Sequence, residues 1–109
     1  MDKTAALKIA IRYAQEVTRV MKPDRIILFG SHARGNPSDE SDIDIAVVLD
    51  GLNGDWFHTC NILSSLTWKV STFIEPVLLD LQDSQSGFLE EVLRTGDVVY
   101  QRPKHPLGN

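Results

Sequence analysis

Apolar residues recur at intervals of three and four from the start of the chain: Leu7, Ala10, Ile11, Ala14, Val17 and Met21. That spacing lines one side of an α-helix and predicts an amphipathic helix over 3–21. Lys22-Pro23-Asp24 ends it, because proline disfavours helical backbone in the residue before it. The pattern then changes to short apolar runs rich in β-formers. Arg25-Ile26-Ile27-Leu28-Phe29 and Ile45-Ala46-Val47-Val48-Leu49 predict two buried strands with a polar connection between them. In the second strand Ile43, Ile45, Val47 and Leu49 take one face, and Asp42, Asp44, Ala46 and Val48 take the other. The first set is expected to meet helices, with the carboxylates at the open end of the second.

Within the polar connection, 31–34 reads as a short helical turn and Asn36-Pro37-Ser38-Asp39 as a further turn. After a loop over 51–54, Asp55 is the expected N-cap of a helix reaching about Ser71, with Trp56, Cys60, Leu63, Thr67 and Val70 at helical spacing. Residues 73–81 form a third extended run, and Pro76 inside it puts that strand at an edge or at a bulge. A last helix over 84–95 carries Phe88, Leu89, Val92 and Leu93, with Gly96 as its C-cap. Val98-Val99-Tyr100 is a final short strand. Two prolines and little apolar content mark 102–109 as a loose tail, leaving 1–101 as the folded domain. Strands alternating with helices indicate an α/β domain: a small mixed sheet with its helices mainly on one face and the site on the other.

A chain of 109 residues supports one domain with one modest core, and 42% hydrophobic with 24% charged residues is ordinary for a globular protein. The net charge of −4 runs against a surface built to neutralise many phosphates, so duplex DNA is not an expected partner. The single cysteine, Cys60, has no internal disulfide partner, and no cluster of Cys and His has zinc-ligand spacing. Neither a secretory signal nor an apolar run near the ~20 residues of a membrane span is visible, so a cytoplasmic protein without membrane contact is expected. Trp56 and Trp68 read as packing or partner surface, and His58 as surface. The Gly-x-x-x-x-Gly-Lys-Ser/Thr and Gly-x-Gly-x-x-Gly loops are both absent, which turns the reading away from ordinary kinases, ATPases and dinucleotide enzymes.

There remains the stretch Gly30-Ser31-His32-Ala33-Arg34-Gly35, with Asp42-Ile43-Asp44 beyond it. A glycine where a strand ends allows a tight turn and close approach to a ligand. The serine after it offers a hydroxyl and a helix-start amide, the arrangement that holds phosphate. Asp42 and Asp44, at i and i+2, leave the same strand face roughly 7 Å apart. Two carboxylates that close repel unless a cation lies between them, and oxygen-only ligation suits magnesium completed by phosphate oxygens and water. Two such ions about 4 Å apart can bind the attacking and leaving oxygens of a phosphoryl displacement.

Gly-Ser-x-Ala-x-Gly followed by Ser-Asp-x-Asp-hydrophobic, here Gly30 to Gly35 and then Ser41-Asp42-Ile43-Asp44-Ile45, resembles the signature of the nucleotidyltransferase superfamily related to DNA polymerase β. The short chain is similar to its minimal members (MNT), which pair with HEPN-domain proteins as antitoxin and toxin. The resemblance implies a polymerase β palm-like fold, ATP as the nucleoside triphosphate donor, and two magnesium ions on Asp42 and Asp44. It implies a third carboxylate on the next long strand, where Glu75 in Phe73-Ile74-Glu75-Pro76-Val77 takes the matching place. Glu75 is assigned as general base for the acceptor hydroxyl and as a further metal contact. The family usually has aspartate there, and glutamate is one methylene longer. Gly30 and Ser31 are expected to hold the terminal phosphates. Arg34 has two open uses, pairing with the triphosphate or with Asp39 or Glu40. His32 falls at a variable position of the motif and receives no role.

The implied function is transfer of a nucleoside monophosphate, AMP by analogy, to a hydroxyl on a partner protein: an antitoxin that adenylylates a HEPN toxin. Two other readings stay open. One is a non-catalytic binding antitoxin or partner subunit, which Glu75 and Pro76 keep in view. The other is an adenylyltransferase acting on an aminoglycoside-type hydroxyl, against which the lack of residues for an acceptor-binding domain counts. No motif reads the base of the nucleotide, and a homo-oligomer is left open.

Overall fold

The Asp2 carboxylate accepts a hydrogen bond from the Ala5 amide at 2.8 Å, and with that cap the first helix begins: α1, Lys3–Val20. This computed structural model describes residues 2–35, 42–52, 54–83 and 87–103. The later elements are β1 (Arg25–Phe29), β2 (Ile43–Leu49), α2 (Trp56–Thr67), β3 (Ile74–Asp80), α3 (Phe88–Thr95) and β4 (Asp97–Gln101). They form one mixed sheet in the order β3-β2-β1-β4. β1 runs antiparallel to both β2 and β4, whereas β2 and β3 are parallel. A parallel pair needs a crossover, and α2 supplies it.

The alternation read along β2 sorts its side chains as predicted. Ile43, Ile45 and Val47 bury with Ile26 and Leu28 of β1 under α1 and α2. Ala46 and Val48 bury with Ile27 on the opposite face, where Leu89 and Val92 of α3 cover them. Two of the three helices therefore lie on one face, and α3 covers part of the other, the face that carries Asp44. Pro76 sits on β3 at the sheet edge, as expected, and the parallel register runs through it without a break.

Several positions differ from the expectation. Ile11, read as part of the buried stripe of α1, is 44% exposed, and Tyr13 is buried instead. Tyr13 can take that place because its hydroxyl donates to the Leu63 carbonyl of α2 at 2.6 Å, which satisfies the polar end of a large apolar ring. Burial pushes its phenol well above the usual range. Asp55 caps α2 as predicted, accepting from the Phe57 amide, but regular helix ends at Thr67 and not near Ser71. Trp56, placed on the inner stripe by spacing, is exposed.

α3 is helical from Phe88, and residues 84–86 of the predicted helix lie outside the described residues. Gly96 is its C-cap, though with a φ of −85°, so no left-handed turn requires glycine there. Space does: an added Cβ would run into Ile27 Cγ2 and the carbonyl oxygens of Val92 and Leu28. The turn predicted at 36–39 and residues 104–109 of the predicted tail also lie outside the described residues, while the Arg102 amide still donates to the Asp24 carbonyl at 2.9 Å. No helix among the described residues is long and apolar enough to cross a membrane.

Gly96→Ala is expected to lower the stability of the chain by about 1–3 kcal/mol, because backbone on two sides leaves the methyl nowhere to go. Gly54→Ala, where nothing lies within 4 Å of the added atom, is expected to stay within about 0.5 kcal/mol of the wild type. Urea unfolding of the three chains measures both.

Candidate active site

β1 delivers the chain to a bend that only glycine fits. Gly30 has φ +75°, and a Cβ on it would overlap the Asp44 carboxylate. Register explains the approach: Phe29 is the partner of Asp44 in the β1–β2 ladder, so the next residue of the chain passes directly over the carboxylate. After the bend the backbone makes a single helical turn, with the Arg34 amide donating to the Gly30 carbonyl at 3.1 Å. A second left-handed glycine, Gly35, closes it. This is the short turn predicted for 31–34, and amides that precede the first bond of such a turn are what a phosphate engages at a helix start.

Ser31 is half-buried in the turn and Arg34 is exposed on it. Asp42 is exposed and immediately precedes β2. Glu75 is exposed on β3, and the parallel register pairs it with Asp44. Residues paired in this way project from the same face of the sheet, so the two side chains stand side by side. The structure thus brings Gly30, Asp42, Asp44 and Glu75 to one corner of the open face, with Arg34 on the adjoining turn. Ser41 of the motif, and Asp39 and Glu40 as partners for Arg34, lie outside the described residues.

The charges feel one another. Asp44 is pushed above its ordinary carboxylate range, first by burial and then by repulsion from Asp42 and Glu75, while His32 and Arg34 pull it partly back. Burial has an identifiable source beside it. Phe29 packs edge-on against Phe88 at the start of α3, with centroids 5.7 Å apart and planes at 80°, and so raises an apolar wall next to Asp44. Phe88 was legible only as part of a helix stripe, because nothing local tells that α3 crosses to the site face. His32, at 1% exposure, is likewise drawn under the turn, although a variable motif position gives no sign of it.

No group of three or more His, Cys, Asp or Glu side chains among the described residues is close enough to hold a metal by itself. The donor set nonetheless fits magnesium. Asp42 and Asp44 provide two hard carboxylates, which is the number that cation takes when phosphate oxygens and water complete its shell. The repulsion that raises Asp44 is what a bound cation relieves.

Similarity to known proteins bears on the family and the fold. A family model described as polymerase beta, nucleotidyltransferase, matches residues 11–105. Two proteins of Methanocaldococcus jannaschii are similar in sequence. "Putative protein adenylyltransferase MJ0141" is 27% identical over 83% of this chain and 94% of its own length. "Putative protein adenylyltransferase MJ0604" is 35% identical over 70% of this chain and 77% of its own length. The crystal structure of a nucleotidyltransferase from Sulfolobus solfataricus, itself described as putative, superposes with a TM-score of 0.70 at 25% identity, covering 92% of this chain and 84% of that one. A Shewanella oneidensis complex of a tri-AMPylated HEPN toxin with an MNT antitoxin has the same fold, with a TM-score of 0.57 at 20% identity over 91% of this chain and 72% of that one.

A carboxyl whose folded pKa is raised costs stability once it ionises. The cost is absent below the unfolded value of 3.8 and fully present above the raised folded value. Asp44→Asn is therefore expected to unfold at a higher temperature than the wild type at pH 7 without metal. The difference should shrink as the pH falls through the raised value toward 3.8. Thermal melts across that range check it; a wild type more stable than the variant at neutral pH contradicts the electrostatic picture.

Proposed function

We propose that this chain, which belongs to the polymerase beta nucleotidyltransferase family, transfers AMP from ATP to a hydroxyl on a HEPN-domain partner protein. The observation that carries the reading is the pairing of Asp44 with Glu75 beside the Gly30 bend. It sets the pair of aspartates and a third, separately mounted carboxylate around one space. The names of the M. jannaschii relatives support adenylyl transfer to protein, and the AMPylated HEPN toxin of the S. oneidensis complex supports the class of acceptor.

In this reading the turn from Gly30 to Gly35 receives the β and γ phosphates, through backbone amides and the Ser31 hydroxyl. Arg34 places its guanidinium against the same phosphates, where its planar fork matches their oxygens. Two magnesium ions held by Asp42 and Asp44 would neutralise charge on the phosphate oxygens. Glu75 accepts the proton of the acceptor hydroxyl. As it does so, the acceptor oxygen bonds to the α-phosphorus, and the bond from that phosphorus to the pyrophosphate oxygen breaks. Exposure of Glu75 on an edge strand suits this role, because a protein-borne hydroxyl must reach it from outside. The wall of Phe29 and Phe88 keeps water from one side of Asp44.

Incubation of the chain with its HEPN partner, ATP and magnesium is expected to add AMP to the partner, read as an increase in intact mass. Asp42→Asn with Asp44→Asn should slow the addition by about a thousandfold or more. Glu75→Gln should slow it by about a hundredfold or more while leaving ATP binding in place. If the doubly substituted chain restrains the partner as well as the wild type does, and no AMP is found with either, contact alone is the function and the transfer reading is lost.

In the same preparation, ATP with magnesium is expected to raise the melting temperature of the wild type and to have little effect on Gly30→Ala. The added methyl there meets both a strained backbone angle and the Asp44 carboxylate. An equal ligand-induced shift in both chains removes the bend from the nucleotide site.

A further inference from the structure

α2 buries Leu63, Leu66 and Thr67 on one side. Its other side ends in two large exposed aromatics: Phe57 is 76% exposed and Trp68 80% exposed, the highest values among the large hydrophobic residues described. Trp68 is still in helical conformation as the C-cap. At i and i+11 the two side chains lie within about 20° of the same line along the helix, about 16 Å apart. Asn61 and Ser64, both exposed, fall on that line between them. The outer stripe therefore reads large, small polar, small polar, large.

Charge singles out the same face. The 12 residues of α2, Trp56–Thr67, contain no Asp, Glu, Lys or Arg, and neither does Trp68. At the chain's frequency of 24% charged residues, about three would be expected in that length. A helix side facing water normally carries them.

We infer that the outer face of α2 is the interface of a homodimer, in which the α2 helices of two copies pack antiparallel about a two-fold axis. The stripe is its own complement under that operation. Phe57 and Trp68 are symmetric about the midpoint between Asn61 and Ser64, so one axis through that midpoint satisfies every pair at once. Phe57 of each copy meets Trp68 of the other, and the Asn61 amide of each copy can donate to the Ser64 hydroxyl of the other. The small central residues let the helices approach, and the aromatics close the two ends. Two copies of a chain with net charge −4 repel elsewhere, whereas this face brings no charge to the contact.

Phe57 and Trp68 together remove about 700 Å² from water across two copies, before Trp56, Asn61, Ser64 and Ser65 are counted. Specific interfaces begin near 1,000 Å², and these two aromatics alone supply about two thirds of that, the range of a weak, reversible dimer. None of the carboxylates or turn residues of the nucleotide site lies on α2, so the inference stands or falls apart from the transfer reaction.

Sedimentation velocity of the full chain alone, from low to several hundred micromolar, tests it. The wild type is expected to show a monomer–dimer equilibrium. Trp68→Glu and Phe57→Glu should each weaken the dimer by at least about 100-fold, since every dimer carries the change twice. Phe73→Glu, at an exposed aromatic away from the stripe, should leave the equilibrium as it is, and circular dichroism should find all three variants folded. A wild type that stays monomeric throughout overturns the inference, as does a dimer indifferent to Trp68→Glu. A monomer whose α2 variants lose only the binding of another protein overturns it too, because the face then belongs to that protein.

Discussion

The close passage of the Gly30 backbone over the Asp44 carboxylate is the constraint on which the site depends. It follows from sheet register: Phe29 and Asp44 are antiparallel partners, so the strand that ends and the strand that begins must cross at that point. Only a residue without a side chain, able to take a positive φ, can make the crossing. The same register, carried one strand further by parallel pairing, sets Glu75 beside Asp44. The Gly30 bend and the grouping of carboxylates are thus two results of one alignment of three strands. Burial of Ile43, Ile45 and Val47 under α1 and α2 fixes that alignment, because a slip by one residue would turn those side chains to the opposite face.

One carboxyl of the site, Asp44, is held at an electrostatic disadvantage. Asp44 is partly buried and lies near two other acids, and both burial and repulsion raise the cost of its charge. His32 and Arg34 offset part of this from the adjoining turn. Turn and strand are therefore coupled electrostatically as well as sterically. Structural strain of this kind is commonly found where a protein binds what would relieve it.

Much of this was legible in the sequence because the relevant signals are local. Alternation along Ile43 to Leu49 sorts the two faces of β2, the Gly30 bend is marked by its own residue type, and Pro76 announces an edge. What escaped was set by contacts between elements. Nothing near Tyr13 tells that its hydroxyl finds the Leu63 carbonyl, so helical spacing alone favoured Ile11 for the core. The glycine at 96 is recognisable as a cap, but its real reason, the approach of β1, depends on another part of the chain. Placement of α3 over the second face, and with it the apolar wall of Phe29 and Phe88, is also a matter of how the sheet is covered. Spacing along α2 found most of its inner stripe, Leu63 and Thr67 with Cys60 and Val70, but not that Trp56 stays exposed.

The position of β3 at the rim of the sheet has a consequence for how the molecule behaves in a crowded solution. A rim strand is a template onto which another chain can add by hydrogen bonding, and the parallel run Ile74–Asp80 is otherwise rich in residues that favour such growth. Pro76 withholds a donor from that template. The strand that carries Glu75 to the side of Asp44 thus also holds the proline that blunts its open edge.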